Sequence, residues 1–72
     1  MLKYKLFKSD SNKYGIIVID KAHGDAIIID EVNNISDNMD VVQSIVDECN
    51  KHNIDPIHLR DVIEDKLYLL YS

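Results

Sequence analysis

Tryptophan is absent from this 72-residue chain, cysteine and proline occur once each, and glycine occurs twice. A lone cysteine, Cys49, cannot close an internal disulfide, so the fold requires no oxidising compartment. With only Gly15 and Gly24, the chain has no glycine-rich loop to cradle a phosphate, no dinucleotide fingerprint and no nucleophile elbow. The longest apolar run, Gly15 to Ile19, falls far short of the roughly 20 residues that cross a bilayer. The opening Met1-Leu2-Lys3-Tyr4-Lys5 lacks the apolar stretch of a signal peptide. A cytoplasmic protein without membrane contact is therefore expected.

Basic residues are also scarce, eight against thirteen acidic ones, for a net charge of −5. They are unevenly placed. Residues 1 to 24 carry five lysines and two aspartates, whereas residues 25 to 72 carry eleven acids and three bases. An acidic C-terminal part opposes direct nucleic-acid binding, which depends on cations that displace phosphate counterions. It suits a basic protein partner, or simple solubility. The abundance of Ile, Asn, Asp and Lys matches the coding bias of an AT-rich genome.

The apolar content, 46% beside 29% charged residues, is enough to build a core. At this length there is apolar surface for one core only, so residues 1–72 read as a single small α+β domain of modest stability, for which self-association would be a gain.

Leu2-Lys3-Tyr4-Lys5-Leu6 alternates with the period of a strand, predicting one over residues 2 to 8. After the turn formers Ser9 to Lys13, the β-branched run Gly15 to Ile19 predicts a second strand ending at Asp20. The loop Lys21 to Asp25 contains Gly24 and a histidine, His23, and leads to a third strand over residues 26 to 31. Asn33 to Asp37 breaks the pattern, with Ser36 or Asp37 placed to cap a helix. From there the apolar period becomes helical. Met39, Val42, Ile45, Val46 and Cys49 share one face, and Asp47 and Lys51 form an i,i+4 pair. Asn53 can end this helix, and Asp55-Pro56 is the start signal of another. Leu59, Val62, Ile63, Leu67 and Leu70 supply the second apolar face. The predicted fold is α+β, a three-stranded antiparallel β-meander followed by two α-helices packed on one face, βββαα.

Two short helices cover one face of three strands more readily than both. Ile17, Ile19 and Ile28 alternate with Ile16, Val18, Ile27 and Ile29, so isoleucines are expected on an uncovered face. Such a patch usually marks an interface. The alternative is that Leu69-Leu70-Tyr71 folds back over it.

Chemistry is thinly supplied. Cys49, His52 and His58 have a spacing that permits metal ligation, yet Cys49 falls on an apolar helix face and His52 suits the end of a helix dipole. Asp61 and Asp65 repel at i,i+4 beside Glu64. A carboxylate pair catalyses proton transfer only in a pocket that shifts a pKa, and nothing marks one. A solvated acidic face, or one that docks a basic partner, is the simpler reading. No cofactor, metal or catalytic residue is assigned.

Tyr14-Gly15-Ile16, Asn34-Ile35-Ser36, Cys49-Asn50 and the run from Pro56 to Asp65 together resemble a family of uncharacterised small proteins, a domain of unknown function, from low-GC Gram-positive bacteria. The resemblance implies the same βββαα domain and no established activity.

Two functions fit. One is a non-enzymatic protein-binding module or regulator that forms a homodimer through Ile17, Ile19 and Ile28 and offers Asp40, Asp47, Asp61, Glu64 and Asp65 to a protein partner. The other is an inhibitor of a nucleic-acid-handling enzyme, of the kind phages encode, whose acidic surface imitates a phosphate backbone.

Overall fold

A computed structural model describes the chain except Met1, Ser11, Ala22, His23 and Ser72, so the turn role expected of His23 lies outside the described residues. Strands β1 (Leu2–Lys8), β2 (Tyr14–Asp20) and β3 (Ile27–Ser36) form one antiparallel sheet in that order. Helix α1 (Met39–Lys51) follows, then a 3-10 turn (Pro56–His58) that runs directly into α2 (Leu59–Tyr71). The βββαα arrangement read from the periodicities is the one observed.

Sheet pleating sorts the apolar residues. Tyr4, Ile16 and Val18 point toward the helices and meet Val42, Ile45, Val46 and Cys49 of α1 and Leu59 and Ile63 of α2. Burial along α2 fades after Leu67: Leu70, expected on the core face, is half exposed, and Leu69 and Tyr71 are exposed as well. The last turn therefore stays helical and does not fold back across the sheet. Tyr71 instead reaches the end of β3, its hydroxyl 3.2 Å from Ser36 Oγ.

Two boundaries differ from expectation. β3 continues to Ser36 through the segment read as a break, because Asn34 adopts φ +54° and the register slips between Ile16–Val32 and Tyr14–Ser36. An asparagine tolerates that conformation, and Ser9 supports it by accepting the Asn34 N–H (3.0 Å). With Ser36 drawn into the strand, the cap of α1 is Asn38, whose Oδ1 accepts the Asp40 N–H at 3.0 Å. Asp47 accepts from Gln43 Nε2 (2.9 Å) and not from Lys51.

Gly15 is demanded by packing. A Cβ there would clash with the Val32 carbonyl oxygen and stand 2.8 Å from the Phe7 ring. Phe7 thus fills the place of the missing side chain, as aromatics do over strand glycines.

The end of α1 is shaped to hold β1. Asn53 takes φ +50°, and the Ile54 N–H bonds back to the Cys49 carbonyl at 3.0 Å while the Asn53 N–H reaches Asn50 (3.4 Å), a Schellman closure with asparagine in glycine's place. This turns the Ile54 carbonyl toward the sheet, where the buried Tyr4 hydroxyl donates to it. Burial, and then the negative charges that Cys49, Asp55 and Asp30 can carry, push the Tyr4 phenol up to about 12 from its ordinary 10.0.

Below pH 10 that phenol is neutral in both the folded and the unfolded chain. Above it the unfolded chain ionises first, so this group removes about 2–3 kcal/mol of stability between pH 10 and pH 12. Tyr4→Phe should cost about 1–2 kcal/mol at pH 7, through the orphaned Ile54 carbonyl, and should flatten this alkaline decline in urea titrations. Gly15→Ala should cost about 1–3 kcal/mol in the same titration, because a backbone carbonyl has to move.

Candidate functional site

The face of the sheet turned away from the helices is built in rows. Register places Lys5, Ile17 and Glu31 side by side in one row and Lys3, Ile19 and Ile28 in the next, with Phe7 lying over Gly15 beyond them. The centre of the face is apolar, its β1 side is basic, and its β3 side carries an acid. Ile17 is half-buried and Ile28 is 60% exposed, whereas Ile19 is only 8% exposed. Ile19 is thus a correction to the expected contact surface: on the central strand, between Lys3 and Ile28, it is mostly shielded from solvent.

The apolar surface is larger toward the start of β3 than alternation alone predicts. A register shift between Val18–Asp30 and Ile19–Ile28 inserts an extra residue, and Ile27 (59%) and Ile29 (46%) are exposed along with Ile28. Sequence reading missed Ile27 and Ile29 as surface residues; three consecutive isoleucines after a loop were the available signal, since a strand covered on one face only cannot bury all three.

The two sheet edges are treated differently. On β1 the outward backbone pair of Tyr4 is occupied, with its N–H donating to Asn50 Oδ1 (2.9 Å) and its carbonyl accepting from Asn50 Nδ2 (3.0 Å). The side-chain amide stands in for a neighbouring strand. On β3 the Glu31 N–H donates to Asp30 Oδ1 (2.9 Å), and Arg60 holds the same carboxylate at 3.0 and 3.3 Å. The Arg60 guanidinium bonds keep the Asp30 carboxyl below its ordinary value, and stability from this pair is present above the unfolded carboxylate range and lost as pH falls through the lowered value.

The acidic residues fall into two groups on the helices. Asp40 and Asp47 are exposed on α1, and Asp61, Glu64 and Asp65 are exposed on α2. Asp65 alone joins a groove between the helices, of about 230 Å³, lined also by Glu48, Val62, Lys66 and Leu69. Lys66 Nζ bonds Glu48 Oε2 there at 3.1 Å. The acidic contact surface expected to receive a basic partner is thus interrupted by a cation.

A second hollow, of about 330 Å³, lies between β1 and the end of α1, lined by Leu2, Tyr4, Cys49, Asn50, Asn53 and Ile54. Burial, then the charge of Glu48, pushes the Cys49 thiol up, away from the reactive thiolate. His52 and His58 are exposed, apart from this core thiol, and no group of three or more His, Cys, Asp or Glu gathers among the described residues. The hollow can seat an apolar side chain, and its amides can hydrogen-bond, but it offers no base beside the thiol.

These features define a small α+β protein with helices on one sheet face and a patterned, uncovered second face. The chain belongs to a family of unknown function, DUF6514, whose family model matches residues 1–69. Neither the search of curated proteins nor that of solved structures found a match. No helix among the described residues is long and apolar enough to cross a membrane.

Replacing Asn50 by alanine removes both partners of the Tyr4 peptide groups. The cost should be about 1–2 kcal/mol, and hydrogen exchange should show the Tyr4 amide losing its protection ahead of the amides of β2.

Proposed function

We propose that this protein is a non-enzymatic binding module that assembles with protein through the sheet face its helices leave uncovered. The observation that carries this reading is the exposure of Ile28 beside half-buried Ile17 and Phe7 on a face that no element among the described residues covers. Contiguous exposed apolar surface on a small soluble domain is costly to keep unless something covers it. The protonated, buried Cys49 thiol and the exposed His52 and His58 side chains support binding over catalysis. A cytoplasmic setting and a low-GC Gram-positive source belong to the same reading, the first suggested by a lone cysteine, the second by the family resemblance.

A second reading, phosphate mimicry by the acidic helices, is favoured by the exposed stripe Asp61, Glu64 and Asp65. It is weakened by Lys66, which neutralises Glu48 within that surface.

Ile28→Lys separates interface from fold. Since Ile28 is 60% exposed, the change should alter folding stability by less than about 0.5 kcal/mol. It should abolish association seen by analytical ultracentrifugation of the unaltered chain. Association that persists unchanged in the variant overturns the sheet face as the contact surface.

A further inference from the structure

The uncovered face is self-complementary about one axis only. Across the sheet, Lys5 and Glu31 flank Ile17 in a single register row, and Lys3 and Ile28 flank Ile19. Consider two copies stacked face to face with a two-fold axis parallel to β2, between the sheets. Each β1 then lies over the other copy's β3, and the central strands face each other. Rows coincide, so Lys5 stands opposite Glu31 of the second copy, Ile17 opposite Ile17, and the Lys3 stem over Ile28. A two-fold perpendicular to the strands instead stacks β1 on β1, setting lysines against lysines. Like charges placed directly opposite are destabilising.

We propose that the occupant of this face is a second copy of the same chain, packed about a two-fold axis parallel to β2, with two symmetry-related Lys5–Glu31 pairs bordering an isoleucine seam. This rests on the reading of the uncovered face as an interface, and it fixes both the partner and the geometry. Aligned packing of two sheets within about 30° is the commonest sandwich arrangement and preserves these row contacts near the axis. Three strands about 4.8 Å apart, each about seven residues long at about 3.4 Å per residue, give a plate of roughly 14 by 24 Å. That is small beside the roughly 800 Å² per partner of a standard interface, so the dimer is a weak one that forms with rising concentration.

The two single charge reversals give the test, because they are complementary to each other. Lys5→Glu leaves the Ile17 row with two acids, and Glu31→Lys leaves that row with two bases. Each alone should dimerise about tenfold more weakly than the unaltered chain, since both symmetry-related pairs become repulsive. An equimolar mixture should recover association to within about threefold, as a heterodimer in which both pairs are again opposite in sign. Sedimentation equilibrium over about 10 μM to 1 mM reads this out, a range suited to a weak interface, with circular dichroism confirming that each variant is folded. If the unaltered chain dimerises but the reversals do not weaken it, or the mixture does not recover, the two-fold geometry is overturned while assembly through the sheet stands. If the unaltered chain is monomeric throughout, the second copy is overturned as the occupant, and binding of a different protein through Ile28 is left as a separate question for the Ile28→Lys variant.

Discussion

Asn50 and Tyr4 hold the two halves of the molecule together. The Asn50 amide bonds both backbone groups of Tyr4, and the Tyr4 hydroxyl reaches past it to the Ile54 carbonyl. One side chain thus closes the edge of β1, and the other closes the end of α1, over 46 to 50 residues of intervening chain. The geometry depends on Asn53 in the left-handed conformation, which turns the chain so that the Ile54 carbonyl points at the sheet. These bonds are part-buried beside Cys49 and the core, where an unmade hydrogen bond costs more than a made one contributes. The orientation of α1 across the sheet follows from it. Given α1, the short connection through Asp55 and Pro56 leaves α2 the same side of the sheet.

The placement of both helices on one side is what makes the other side available. Arg60 ties the start of α2 to Asp30, and Tyr71 ties its end to Ser36, so α2 runs alongside β3. Both anchors belong to the helix-facing pleat of β3. The residues between them that point the other way, Glu31 and Asn33, are left to solvent.

Much of this was legible because hydrophobic period is a local property. Leu2 to Leu6 alternates, Met39 to Cys49 repeats at helical spacing, and both elements form where those periods run. Asp55 before Pro56 marks the start of the second helical segment, and the Asp55 carboxylate does accept the Ile57 N–H at 3.1 Å. What escaped was set by partners distant in sequence. Asn33 to Ser36 looks like a loop because asparagine disfavours strands, yet the register slip and Ser9 keep it in the sheet. The exposure of Ile27 and Ile29 comes from a second slip, which depends on how β2 and β3 align and has no signature in either strand alone. Asn50 reads as an ordinary polar helix residue until β1 is placed beside it.

Topology converts a property of the sequence into a property of the surface. The bases lie early in the chain and the acids late. In a meander, chain order is also spatial order, so Lys3 and Lys5 stand on one border of the sheet and Glu31 on the other, two strands away. A crossover connection that set β3 beside β1 would bring Lys5 and Glu31 into direct contact and leave the face without a charge gradient. β2 lies between them, and no ion pair joins the two side chains among the described residues. Each is then available to a charge from outside. The same apolar strand that separates them supplies the seam on which an outside partner would rest, so charge and burial favour one docking direction together. That coincidence needs no special residue: it follows from uneven charge along the chain, an uninterrupted β-branched central strand, and helices confined to one side.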